Sequence, residues 1–283
     1  MKSAMISSHE PPMITNIFEK ASRGLSSFLY SGLQQKLEPI RLARVGYALL
    51  TSGCSVRGDF PGESLSTYLI KSQQKDGGLV DVEETLWSMG FLRAFGDRYR
   101  EEISSGQKWL ASVRLPCGAW GKSERDQPRI PVTALAAALV PEIVNPSTLK
   151  WLANQWETDL ESPVHLTYKG SFFLLAQAHS DAPSSKELTR RTVRYLTREQ
   201  EEDGGFSPWR GHPVGSDPWS TGIVLWGLSN AGQFVPRHTV ERALSWLQCK
   251  QLPDGLWPYH YLDDGSAMAL IGISSILSFL SEQ

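Results

Sequence analysis

A pattern of fixed positions that returns along the chain constrains its fold more than any other feature. Trp246-Leu247 is followed by Gln251, Gly255 and Trp257. Tyr195-Leu196 leads at the same spacing to Gln200, Gly204 and Phe206, and Tyr68-Leu69 to Gln73, Gly77 and Leu79. Two further copies are altered. Trp109-Leu110 keeps Gly118 and Trp120 but has Arg114 in the glutamine slot; Trp151-Leu152 has Trp156 there and no glycine after it. Counting back one period reaches Phe28-Leu29, which makes six units. Self-similarity at a period of roughly 20–50 residues marks a repeat architecture.

After each glycine turn comes a polar loop and then an apolar run that begins near Thr or Ser: Thr85 to Phe95, Thr133 to Val140, Thr221 to Ala231 and Ser266 to Phe279. Thr167 to Ala178 and Leu42 to Leu50 run similarly. A helix apolar on most sides belongs in an interior. The pattern therefore predicts an all-α fold, a single α/α toroid (α6/α6 barrel) of six helical hairpins with the apolar helices inside. One domain covers 1–283, with 1–20 as a flexible or peripheral segment. Asp76-Gly77-Gly78, Asp203-Gly204-Gly205 and Asp254-Gly255 supply positive φ where a helix must stop. The glutamine amide is expected to satisfy backbone groups left open there.

A net charge of -2 gives no electrostatic reason to expect nucleic acid. Cys54, Cys117 and Cys249 show no paired spacing, which argues against a disulfide framework or zinc knuckle and for a cytoplasmic setting. No run approaches the roughly 18 uninterrupted apolar residues of a spanning helix, so no integral membrane segment is expected. The oligomeric state stays open.

The aromatic-Leu, Gln, Gly, aromatic spacing resembles the QW repeat of squalene-hopene and oxidosqualene cyclases. It covers the chain from about residue 25. The resemblance is to the superfamily of terpenoid cyclases and protein prenyltransferases, and most of all to class II terpene cyclases. Asp81-Val82-Glu83-Glu84-Thr85 is similar to the Asp-x-Asp-Asp-Thr motif that supplies the proton in class II enzymes. The resemblance implies Glu83 as the general acid, with Asp81 and Glu84 tuning it. It also implies an aromatic cavity, for which Trp87, Phe91, Phe172, Phe173, Trp219 and Trp226 on inner helices supply π faces for a carbocation. Two departures stand out: glutamates replace two aspartates, and class II members generally set their site between two toroids where this chain has length for one. Read without the resemblance, Asp81 followed three residues later by Glu84 is a helix capping box.

Asp263-Asp264 is a second acidic pair before an inner helix, able to serve as the acid or to hold magnesium and a diphosphate. Asp217, Asp126 beside Arg129, and His165, His212 and His260 occupy equivalent loops, all expected at one mouth of the ring. The Asp, Cys and His set of a zinc-dependent prenyltransferase is not present at the matching positions. The expected partner is a hydrophobic isoprenoid-like molecule, with no metal and no cofactor unless the substrate is a diphosphate, when magnesium enters. The leading expectation is protonation-initiated cyclisation of a polyene. The alternatives are a non-catalytic toroid that binds a hydrophobic ligand or partner, and magnesium-dependent ionisation or transfer of a prenyl diphosphate.

Overall fold

The computed structural model describes residues 12–54, 60–162, 166–179 and 183–281. Its α-helices alternate between two concentric layers. The outer layer holds α1 (Pro12–Gln35), α3 (Gly62–Ser72), α5 (Arg100–Ser112), α7 (Pro146–Glu161), α9 (Pro183–Glu199) and α11 (Arg237–Lys250). The inner layer holds α2 (Pro39–Thr51), α4 (Val82–Arg93), α6 (Ile130–Leu139), α8 (Thr167–Leu175), α10 (Pro218–Leu228) and α12 (Leu262–Ser281). Each inner helix packs on the next and α12 packs on α2, so the ring closes as an α6/α6 barrel. The described residues contain no strand.

The repeat pattern has a structural cause that holds in its degraded copies too. Gln73 Nε2 donates to its own turn at Gly77 O (2.7 Å) and to Glu102 O in α5 (3.0 Å). Gln200 does the same to Gly204 O and Thr239 O in α11 (2.8 and 2.9 Å). Where the glutamine is lost, the donation to the next repeat survives: Arg114 Nη1 reaches Ile143 O at 3.1 Å, and Trp156 Nε1 reaches Thr192 Oγ1 in α9 at 2.7 Å. At α4, α6, α10 and α12 a Thr or Ser near the start of the inner helix accepts from the backbone of the aromatic slot, as Thr221 Oγ1 does from Phe206 N (2.9 Å) and Ser266 Oγ from Trp257 N (2.8 Å). Gly255 shows why the turn excludes a side chain: its φ is +89°, and a Cβ would fall 2.0 Å from Lys20 O.

One expectation changes here. Residues 17 to 20, expected in a peripheral segment, belong to the ring: Ile17 is buried in the core, and the last repeat docks on this part of α1. α12, by length and composition, is apolar enough to cross a membrane, but it forms inner wall against α10 and α2. The approach of α10 to α12 is close because Gly222 meets Gly272, where a Cβ would lie 2.2 Å from Gly222 O.

Candidate active site

Because outer and inner helices alternate along the chain, all six inner helices start at one end of the ring, and the loops carrying the acidic motifs gather there. Asp81 is the N-cap of α4, its carboxylate accepting from Glu84 N at 2.8 Å. Glu84 is buried and uses both oxygens on backbone: Oε1 accepts from Ile40 N at the start of α2 (3.2 Å) and Oε2 from Val80 N (3.0 Å). These two acids are therefore bound up in holding two helix ends.

Glu83 points elsewhere. Its Oε1 faces Arg44 Nη2 of α2 at 3.4 Å, and Lys122 Nζ approaches Oε2 from the solvent side at 3.6 Å. The same guanidinium donates through Nη1 to Asp264 Oδ1 at the start of α12. One arginine thus joins the two acidic clusters that the sequence leaves as rivals. Arg44 also lies over the Trp87 ring, 5.2 Å from its centroid. Sequence reasoning passed over Arg44, although Arg41 and Arg44 are the only charged residues of an otherwise apolar inner helix.

Asp263 is nearly inaccessible and takes a two-pronged bond from Arg41, Nε to Oδ2 at 3.0 Å and Nη2 to Oδ1 at 2.6 Å. With Asp263 filled by Arg41 and Asp264 by Arg44, this pair does not fit a magnesium ion. Among the described residues no three His, Cys, Asp or Glu side chains converge as a ligand set. Asp217 is the buried N-cap of α10 and accepts from Ser220 N and Ser220 Oγ, both at 2.7 Å. Burial pushes its carboxyl above the ordinary range. Burial, helped by the charges of Asp217 and Asp264, pushes the Tyr259 phenol up. Asp126 stays at the rim with Arg129, which holds its carboxyl at about 2. His212 meets Trp209 edge to face, His260 is exposed beside Tyr259 and Tyr261, and His165 lies outside the described residues.

The aromatic residues separate into two groups. Trp219 stands at the mouth between Tyr168 and Phe172, 6.1 Å from each ring. Deeper in the bore, Trp87 and Trp226, on opposite sides of the ring, approach to 6.1 Å, and Tyr47 of α2 touches both. Burial raises the Tyr47 phenol to about 12. These three rings meet across the bore below the acids. Phe91 and Phe173, expected on the cavity wall, are not part of it. Phe91 packs beside Phe60 and Phe95 in the notch that Gly46 leaves on α2, and Phe173 stacks on Trp156 of the outer layer. The site is thus a mouth with an acid and guanidinium wall on α2, α4 and α12, an aromatic wall on α8 and α10, and an aromatic floor.

A family model of the squalene-hopene cyclase C-terminal domain matches residues 163–266. A drimenyl diphosphate synthase from Streptantibioticus cattleyicolor is 30% identical over 244 residues, 77% of this chain and 44% of that protein. The chain thus spans less than half the length of this relative. Among solved structures, the R337A variant of the type II terpene cyclase MstE from Scytonema, in complex with its substrate geranylgeranyl dihydroxybenzoate, superposes with a TM-score of 0.74 at 15% identity, covering 95% of this chain and 99% of that one. An ent-copalyl diphosphate synthase from Streptomyces platensis gives 0.60 at 16% identity over 84% and 50%. At these identities the superpositions establish the fold.

Proposed function

The chain belongs to the terpenoid cyclase α/α-toroid superfamily, and on that premise we propose that it cyclises an isoprenoid or related polyene by class II chemistry, with Glu83 as proton donor. The observation that carries this reading is the setting of Glu83: alone among Asp81, Glu83 and Glu84 it is free of helix capping, and it faces a mouth walled by Trp219, Phe172 and Tyr168.

The proton passes from the Glu83 carboxyl to one carbon of a terminal double bond. The alkene π pair forms the new C–H bond, and the O–H pair stays on the carboxylate. Arg44, 3.4 Å away, is placed to hold that carboxylate. The cation left on the neighbouring carbon has the Tyr47, Trp87 and Trp226 rings beneath it as π faces. Attack by the next double bond moves the charge along the chain, and loss of a C–H proton ends the sequence.

The test is incubation of wild type and Glu83→Gln with a panel of linear isoprenoids, read by mass spectrometry. A cyclised product that falls at least a hundredfold in the variant supports the assignment. The filled bore favours one other reading, a non-catalytic toroid that binds a hydrophobic ligand at its mouth. Ligand binding without any product from wild type would establish it.

A further inference from the structure

We propose, resting on the reading of Glu83 as proton donor, that Asp264 is a positioning residue for this acid. It acts through Arg44, holding the guanidinium on the α12 side of the mouth so that it does not close on the Glu83 carboxyl group.

The two arginines of α2 show the contrast. Arg41 grips Asp263 with two prongs, at 3.0 and 2.6 Å. Arg44, one turn further on, divides its guanidinium: Nη1 donates to Asp264 Oδ1, while Nη2 stands 3.4 Å from Glu83 Oε1. Charge-assisted N–H···O bonds run at about 2.7–2.9 Å, so the contact to Glu83 is a loose one. Arg44 Nε is buried and has no hydrogen-bond partner among the described residues. Trp87, one turn after Glu83 on α4, carries the guanidinium 5.2 Å from its ring centroid, on the side of the Glu83 helix. Among the described residues, Asp264 is the hydrogen-bond partner that draws Arg44 towards α12.

A proton donor must keep its proton until the substrate arrives and regain it after each turnover. A guanidinium closed on a carboxylate stabilises the charged form, and so does the loss of a nearby negative charge. Asp264 opposes both effects. At 3.4 Å, Arg44 still attracts the carboxylate that proton transfer leaves behind.

The other charged groups around Glu83 do not share this role. On α4 itself, Asp81 and Glu84 are bound to backbone amides. In the loop before α6, Lys122 comes within 3.6 Å of Oε2, but half of its side chain lies in solvent, which screens its charge. Arg129 is paired with Asp126 and acts on Glu83 only through space. On the α12 side, Asp263 belongs to Arg41, and the Tyr259 phenol, pushed up by burial, carries no charge to compete for Arg44. All of these stay in place when Asp264 alone is changed.

The experiment measures the pH dependence of kcat/KM for cyclisation in wild type, Asp264→Asn, Asp264→Glu and Arg44→Gln/Asp264→Asn. Farnesol, geranylgeraniol and their diphosphates are the probes. Activity needs the protonated acid, so it falls as pH rises. In Asp264→Asn that fall is expected about one pH unit lower, which is about a tenfold loss along the falling limb. Asp264→Glu is expected to restore most of the activity. The double variant is expected to return the fall towards its wild-type position, because the released guanidinium is gone. An unmoved fall in Asp264→Asn overturns the proposal, as does a shift that persists undiminished in the double variant. A loss equal at every pH also overturns it, since that marks a purely structural role. Carbon-13 NMR titration of the Glu83 carboxyl, assigned by the signal missing from Glu83→Gln, reads the same shift without turnover. If wild type converts none of the probes, the cyclase reading fails and this titration alone decides the role of Asp264. Asp264→Ser takes the place of an asparagine variant that does not fold, and failure of both to fold counts as the structural outcome.

Discussion

The side-chain amide of Gln251, in the last repeat, donates to the backbone carbonyl of Ile17 in the first helix at 3.1 Å. It is the same bond that Gln200 makes to Thr239, and Gln73 to Glu102, between successive repeats. The ring therefore joins its two ends with the device that joins its neighbours. Gln200→Ala removes two donations from a buried position and leaves two carbonyls short of a partner. We expect a loss of about 1–3 kcal/mol in urea unfolding, and a similar one for Gln251→Ala. An unchanged midpoint for both variants would show that the slot contributes nothing to stability.

The Arg41–Asp263 pair fastens α2 to α12 with one partner almost fully buried. Arg41→Met strands the Asp263 carboxylate and should cost about 2–4 kcal/mol, reduced from the fully buried case because Arg41 keeps a quarter of its side chain in solvent. The double variant Arg41→Met/Asp263→Leu should recover most of that loss. A double variant no better than the single one would place the cost in packing rather than in the stranded charge.

Asp217 gives a pH dependence. Burial raises its carboxyl in the folded state above its unfolded value, so its contribution to stability is full below the unfolded value and is lost as pH rises through the folded one. Asp217→Asn keeps an oxygen for the Ser220 N–H without the buried charge. It should be more stable than wild type at pH 7, with the gain fading as pH falls below the ordinary carboxylate range. Chemical unfolding at a series of pH values checks this; a gain that grows towards low pH would reverse the assigned direction.

Trp226 reaches across the bore to Trp87. Trp226→Ala opens that floor at a cost of about 3–5 kcal/mol, as for other large aromatic truncations. If the floor shields the cation, the variant should also shift product from hydrocarbon towards water-quenched alcohol. Thermal unfolding and product analysis report the two effects separately.

The toroid is legible in the sequence because one bond pattern recurs at fixed spacing, and even Arg114 and Trp156 keep the slot's donation when the glutamine is gone. The first repeat is the least legible. It lacks the glycine turn, which hides that Ile17 and Lys20 serve as its docking surface for the last repeat. The site is legible only in parts. Spacing brings Glu83 and Asp264 to the same end of the ring, but not to the same guanidinium, since that depends on the rotation of α2. Nor does composition show that Phe91 leaves the bore. That follows from a missing Cβ on Gly46, on a different helix.

Arg44 and Asp264 meet across 220 residues of chain, while Arg44 and Glu83 are separated by 39. Closing the longer separation costs more chain entropy than closing the shorter one. During synthesis, α4 leaves the ribosome with its glutamate long before α12 exists to supply the second carboxylate. A nascent chain therefore carries the acid without its assembled surroundings, and the site comes into being as the last helix docks. Activity in this protein would report on completion of the ring.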